Sequence, residues 1–102
     1  MEIKEAQKQS FELLARINTK HNVKHEPDSM FLSLAEEVGE VARELSKKQK
    51  NTKRGEFDKE ELADELADVI SRTLVIAEDN YINMDKAFQN KLIKIKERFN
   101  IK

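Results

Sequence analysis

The chain has 102 residues, with 19 lysines and arginines, 20 aspartates and glutamates, 38% apolar residues, two glycines, one proline and no cysteine. These numbers favour a single domain over residues 1–102 and exclude disulfides, thiolate zinc sites and cysteine nucleophiles. A net charge of -1 gives no general attraction for a nucleic-acid polymer or an anionic membrane, so a phosphate-bearing partner needs a local site. We expect a cytoplasmic protein, because residues 1–5 lack the apolar stretch of a signal peptide and no apolar run is long enough to cross a bilayer.

The scarcity of glycine and proline, together with abundant lysine, glutamate, leucine and alanine, predicts an all-α chain. We predict four helices, over about residues 2–20, 29–50, 58–79 and 84–99. Asp28 or Ser29 can cap the second helix, and Asn83 can cap the fourth. Asp58 followed by Glu61 resembles a capping box that opens the third helix. A basic polar loop over residues 47–55 connects the second and third helices.

Apolar residues recur at helical spacing on the second and third helices and predict an antiparallel four-helix bundle. One row on each helix forms the predicted seam between them: Leu34, Val38, Val41 and Leu45 on the second, and Leu62, Leu66, Val69, Thr73 and Ile76 on the third. The third helix has a second apolar row, Ala63, Ile70, Leu74 and Ala77. Since one protomer's core faces one side of a helix, the second row predicts a homo-oligomer, with a dimer preferred over a tetramer.

On both helices, acidic residues occupy the position just before a seam residue. Each acidic residue is therefore about 100° around the helix axis from the seam. These acidic residues are Glu37, Glu40 and Glu44 on the second helix, and Glu61, Glu65 and Asp68 on the third. An antiparallel pair with its loop centred near residues 52–53 sets Glu37 level with Asp68 and Glu40 level with Glu65. Eight like-charged pairs at i,i+3 or i,i+4 cost about 0.2 to 0.5 kcal/mol each without a cation. The pattern therefore favours a cation site over the alternative, a solvated acidic face.

Oxygen-only ligands favour Mg²⁺, with Mn²⁺ as the other candidate, over zinc or copper. Few basic residues are in reach: Arg72 can approach Asp68, while Arg43 and either Lys47 or Lys48 can approach the acids of the second helix. His21 and His25 have metal-ligand spacing but precede Pro27 in a loop, so we interpret them as surface histidines. Because no glycine-rich phosphate loop occurs, phosphate must be held by metal and by lysine or arginine.

The segments Glu36-Glu37-Val38-Gly39-Glu40 and Glu65-Leu66-Ala67-Asp68 resemble the EExxE and ExxD motifs of the MazG-like all-α nucleoside triphosphate pyrophosphohydrolases. Relatives in that family include dimeric dUTPases, dCTP pyrophosphatase and phosphoribosyl-ATP pyrophosphohydrolase. The resemblance covers about residues 30–99. It implies an all-α fold and Mg²⁺-dependent hydrolysis of a nucleoside triphosphate, with a normal or modified deoxynucleoside triphosphate expected, to the monophosphate and pyrophosphate.

Two placements of the ExxD motif compete, because Glu61 and Asp64 also fit it. Asp68 stays on the acidic ridge beside the seam, whereas Asp64 leaves it. The spacing from Asp68 to the start of the last helix and to Lys91 also matches the family pattern. The ligands that the resemblance implies for the metal are Glu37, Glu40, Glu65 and Asp68.

The resemblance also implies roles for residues around the metal. Glu36 and Glu61 are the candidates for a catalytic base that takes the proton of the attacking water. Lys91 and Arg98 match a phosphate-facing strip of the last helix, although Ile95 stands where the family has asparagine. Lys48 and Arg72 are further candidates for substrate binding. Two alternatives stay open: phosphoribosyl-ATP pyrophosphohydrolase activity, and a non-catalytic helical interaction module.

Overall fold

The computed structural model describes residues 1–49 and 55–102 and contains four α-helices there, with no strand in those residues. The helices are α1 (Ile3–Lys20), α2 (Met30–Ser46), α3 (Lys59–Asp79) and α4 (Met84–Arg98), and a short 3-10 helix (Pro27–Ser29) precedes α2. The predicted all-α class is confirmed. In the part of the chain that is described, no helix has the length and hydropathy of a membrane span.

Helix ends agree with the predicted caps at two of three positions. The Asp58 carboxylate accepts the amide of Glu60 and the Asn83 side chain accepts the amide of Lys86, which satisfies otherwise free donors at the starts of α3 and α4. Ser29 lies at the cap position of α2 without a capping side-chain bond, because its hydroxyl donates back to the Glu26 carbonyl. Helix α2 ends at Ser46, earlier than predicted. Residues 50–54 of the predicted basic loop lie outside the described residues.

Helices α2 and α3 pack side by side and run antiparallel. Arg72, late in α3, donates to the hydroxyl of Ser33, early in α2. Lys47, just after α2, contacts Glu61, early in α3. These two contacts fix both the direction and the register of the pair, with Glu37 level with Asp68 as predicted.

Helix α1 packs on the C-terminal part of α3 and on α4 through a buried glutamine. The Gln7 amide donates to the Glu78 carboxylate (2.9 Å) and to the Ile82 carbonyl (2.7 Å), and its oxygen accepts the amide of Met84 (3.2 Å). A buried amide with every group bonded stabilises the turn between α3 and α4. The predicted surface position of His25 is wrong: its ring is half-buried against Phe11 and lies 2.9 Å from the buried Asp79 carboxylate.

The four helices do not close around a common core. Helix α4 packs on α1, has no comparable packing on α2 or α3, and contains no buried residue. The radius of gyration is 16.6 Å, whereas a compact chain of this length has about 13 Å. The accessible surface is 8545 Å², about 2,600 Å² more than expected for a folded monomer of this mass. The uncovered surface includes large apolar side chains, among them Phe31 on α2, Ile70 on α3 and Ile93 on α4.

The acidic residues, rather than the whole predicted seam, face the space between α2 and α3. Glu44 is buried and Glu37, Glu40, Glu65 and Asp68 are half-buried. Some predicted seam residues turn outward instead: Val38, Leu45 and Leu66. The predicted seam is thus wrong at these positions, because the helix pair is rotated so that the neighbouring acidic row lines the groove.

The second apolar row of α3 is divided between two environments. Leu74 and Ala77 are buried inside the protomer, whereas Ile70 is 60% exposed and Ala63 is also exposed. The predicted use of the whole row as a subunit interface is therefore wrong for Leu74 and Ala77, because both are already buried within the protomer, on the helix that packs against α1.

Candidate metal centre

The centre of the α2–α3 groove brings together carboxylates from both helices. One oxygen each of Glu37, Glu65 and Asp68 lies within 4.8 Å of the other two. All three side chains are half-buried. The antiparallel register produces this group, because Glu37 lies one turn after the Ser33–Arg72 contact on α2 and Asp68 one turn before it on α3. Three convergent hard oxygen ligands suit Mg²⁺ or Mn²⁺.

The groove is electrostatically unfavourable without a cation. Partial burial raises the pKa of Glu65 above its ordinary value, and the charges of Asp68, Glu37, Glu40 and Asp64 raise it further. Each of these causes opposes ionisation of Glu65. A divalent ion would supply the missing positive charge, so the donor set fits such an ion.

Glu40 lies at the edge of the group rather than inside it. Its charge is one of the causes that raise the pKa of Glu65, in keeping with the level positions of these two residues on α2 and α3. Its carboxylate also has Arg43 at 3.8 Å, and both of these side chains are substantially exposed. The geometry therefore leaves Glu40 free to turn towards an ion in the groove, since an exposed pair at this distance holds it weakly.

The competing ExxD placement has a different environment. Asp64 is exposed on α3, and Glu61 is 57% exposed with its carboxylate 3.4 Å from the ammonium of Lys47. Neither residue belongs to the three-carboxylate group. The structure thus brings Glu65 and Asp68, not Glu61 and Asp64, opposite Glu37.

The candidate base Glu36 is exposed and lies one residue, or about 100°, from Glu37 on α2. Glu61, early in α3, lies beside the C-terminal end of α2, where it contacts Lys47. Neither candidate is part of the three-carboxylate group, so both would act from its edge.

The predicted substrate-binding residues are dispersed. Arg72 lies one turn after Asp68 on α3 and donates a 2.9 Å bond to Ser33, and in the described part of the chain it forms no ion pair with Asp68. Lys48 places its ammonium 4.5 Å from the centre of the Phe57 ring. Lys91 and Arg98 are exposed on α4, which packs on α1, and no contact in the described residues brings them to the groove.

The sequence allowed Lys47 or Lys48 to approach the acids of α2 but did not make Lys47 a site residue, although its side chain lies in the groove beside Glu44. Its spacing of three residues from Glu44 was a usable signal for an ion pair. The second contact, to Glu61, depends on the register of the helix pair.

A helical hairpin that holds three carboxylates between its helices defines a class of all-α proteins with a site suited to a divalent cation. The family model for the MazG nucleotide pyrophosphohydrolase domain matches residues 25–100. The chain belongs to this family, and the predicted resemblance to the MazG-like family is confirmed. The match points to a nucleotide pyrophosphohydrolase, a hydrolase that acts on acid anhydrides. No curated protein and no solved structure matches the chain.

Proposed function

We propose that the protein hydrolyses a nucleoside triphosphate, preferably a normal or modified deoxynucleoside triphosphate, to the monophosphate and pyrophosphate with Mg²⁺ as cofactor. The observation that carries the proposal is the approach of Glu37, Glu65 and Asp68 to within 4.8 Å in the groove of a MazG-family chain. Mn²⁺ would fit the same oxygens. Since nucleoside triphosphates are made and used in the cytoplasm, a cytoplasmic location belongs to this proposal.

Each side chain has a distinct part in this reaction. Glu37, Glu65 and Asp68 hold the ion, and Glu40 completes the set by turning from Arg43. When bound, the ion would neutralise charge on the phosphate oxygens and orient the attacking water. Glu36 and Glu61 are the candidates to accept the proton of that water. Arg72, one turn after Asp68 on α3, would bind a phosphate oxygen, and Lys48 would bind substrate beside the C-terminal end of α2.

The proposed active form is a homo-oligomer that covers an apolar face of the α2–α3 pair. This face consists of five side chains that are between 43% and 63% exposed: Phe31, Val38, Leu45, Leu66 and Ile70. Val38, Leu45 and Leu66 each follow a groove-facing acid by one residue, so each is rotated by about 100° in the same sense. In an antiparallel pair that rotation brings both rows to one side of the hairpin. The surplus of about 2,600 Å² per chain, or about 5,200 Å² for two copies, is enough for a large obligate interface.

The same assembly would bring α4 to the active site. Lys91 and Arg98 are distant from the groove of their own chain, since α4 packs on α1. For these residues to bind the triphosphate, they must reach the groove of a second copy. The proposal is therefore that each substrate-binding site combines α2 and α3 of one copy with α4 of its partner.

The test of the reaction is a product analysis with purified protein. Deoxynucleoside and ribonucleoside triphosphates and phosphoribosyl-ATP are each incubated with Mg²⁺, Mn²⁺ or EDTA. We expect pyrophosphate, rather than orthophosphate, from at least one deoxynucleoside triphosphate, and no product in EDTA. Cleavage of phosphoribosyl-ATP alone would assign the alternative pyrophosphohydrolase activity. No pyrophosphate from any substrate with either metal would refute the enzyme and favour a non-catalytic interaction module.

A further inference from the structure

One lysine is enclosed at the end of the acidic groove. Lys47 directly follows α2, and its side chain is only 13% exposed. Its ammonium lies 3.1 Å from Oε1 and 2.9 Å from Oε2 of Glu44, and 3.4 Å from Oε2 of Glu61. Lys47 therefore joins a carboxylate of α2 to a carboxylate of α3.

The Glu44 carboxylate depends on this lysine. The Glu44 side chain is 10% exposed. Among the described residues, its buried Oε2 accepts no hydrogen bond of good geometry, although the Lys47 ammonium lies 2.9 Å away. Burial of a carboxylate is costly unless a charge of opposite sign lies beside it. Lys47 provides that charge.

The electrostatic response of Lys47 agrees with this pairing. The hydrogen bond to Glu44 is the main cause that raises the pKa of Lys47, and the contacts with Glu61 add to it, while burial acts in the opposite direction. Lys47 consequently remains protonated at neutral pH. It is a permanent cation at this end of the groove.

The two ends of the groove therefore differ in charge balance. Glu44 lies seven residues from Glu37 along α2, about 10 Å at the rise of an α-helix. At the Glu37 end, three carboxylates converge and repel one another. At the Glu44 end, two carboxylates share an ammonium. Among the described residues, the Lys47 ammonium thus pairs with the acids at the Glu44 end, whereas no ion pair involves Glu37, Glu65 or Asp68.

We propose that Lys47 is a built-in cation that occupies the Glu44–Glu61 end of the groove and so restricts divalent ions to the Glu37–Glu65–Asp68 end. Lys47 acts as a positioning residue: it determines how many divalent ions the acidic row accepts and where they bind. The location of the natural ion rests on the proposed function. The role of Lys47 at its own end does not.

The test counts Mn²⁺ ions bound per chain in the full-length protein, by calorimetric titration and by electron paramagnetic resonance of free Mn²⁺. Lys47→Met removes the ammonium and should add one bound Mn²⁺ per chain. The double variant Lys47→Met with Glu44→Gln should lose that additional ion. Lys48→Met, a neighbouring lysine substitution outside the Glu44–Glu61 pair, should leave the number unchanged, and so should Lys47→Arg.

A folded Lys47→Met protein that binds the same number of Mn²⁺ ions as wild type would overturn the proposal. If Lys47→Met does not fold in EDTA, millimolar Mn²⁺ should restore its helical circular dichroism, and failure to restore it would equally overturn the proposal. Wild-type protein that binds no Mn²⁺ would contradict the proposed metal site alone. The gain in Lys47→Met would still decide the role of Lys47.

Discussion

Replacing Ile70 by aspartate should weaken self-association without unfolding the protomer. Ile70 is 60% exposed on α3, so the substitution creates little cavity in one chain. Full burial of an isoleucine side chain contributes about 1.5 to 3 kcal/mol, and association can bury at most the exposed part, about 1 to 2 kcal/mol per copy. A symmetric dimer contains the position twice, which gives about 2 to 4 kcal/mol. The dimer dissociation constant should therefore rise at least about 30-fold, since the new charge adds a desolvation cost.

The assay is sedimentation equilibrium over a concentration series, with circular dichroism to verify helicity. Tyr81→Asp is the matched control, because Tyr81 is 98% exposed on the turn after α3 and lies outside the apolar face. Its dissociation constant should equal that of wild type. An unchanged constant in Ile70→Asp would refute this face as the interface. Wild-type protein that stays monomeric at all concentrations would refute the oligomer itself.

Three further outcomes are expected. Mg²⁺ at one hundred times its dissociation constant should stabilise the wild type by about 2.7 kcal/mol, which corresponds to a rise of about 10 °C or more in melting temperature. Glu37→Gln should lose most of this rise. An equal rise in Glu37→Gln would exclude Glu37 as a metal ligand. The pKa of Glu65 is raised in the folded state, so the folded protein binds a proton at a higher pH than the unfolded chain does. Lowering the pH through that pKa towards the ordinary 4.5 should therefore stabilise the metal-free wild type relative to Glu65→Gln, as measured by denaturant titration. Parallel pH profiles of the two proteins would contradict this. If each site is shared between two copies, refolding Asp68→Asn together with Lys91→Ala should restore about a quarter of wild-type activity at subsaturating substrate, because half of the dimers are mixed and each mixed dimer has one intact site. No recovery would show that Asp68 and Lys91 of the same chain form one site.

Local signals in the sequence were sufficient to predict where α3 and α4 begin. Asp58 and Asn83 each have a side-chain oxygen that can bond a free amide at a helix start, and both do so in the structure. The level positions of Glu37 and Asp68 follow from equal distances to the connecting loop, and the structure brings their carboxylates together. Cap chemistry and antiparallel register both depend on residues that are close in sequence or symmetric about one loop.

The rotation of the helix pair could not be predicted in the same way. The acidic row and the apolar row lie about 100° apart on each helix, so periodicity alone does not say which row faces the neighbouring helix. That choice depends on whether cations offset the burial of Glu44 and Glu65. Lys47 can pair with Glu44 locally, but its second contact, with Glu61, forms only when α3 packs beside α2. The position of α4 likewise depends on the buried bonds of Gln7 to the turn after α3.

The comparison of two pairs of variants tests the central claim most directly. Initial rates of Mg²⁺-dependent pyrophosphate release are measured for Glu65→Gln and Asp68→Asn, and for the same changes at the competing positions, Glu61→Gln and Asp64→Asn. All four substitutions nearly preserve side-chain shape, and each removes one negative charge. Because only Glu65 and Asp68 converge with Glu37, their variants should lose nearly all activity, while Glu61→Gln and Asp64→Asn should retain more. Loss of activity in Glu61→Gln and Asp64→Asn, with Glu65→Gln and Asp68→Asn still active, would contradict the proposed metal centre.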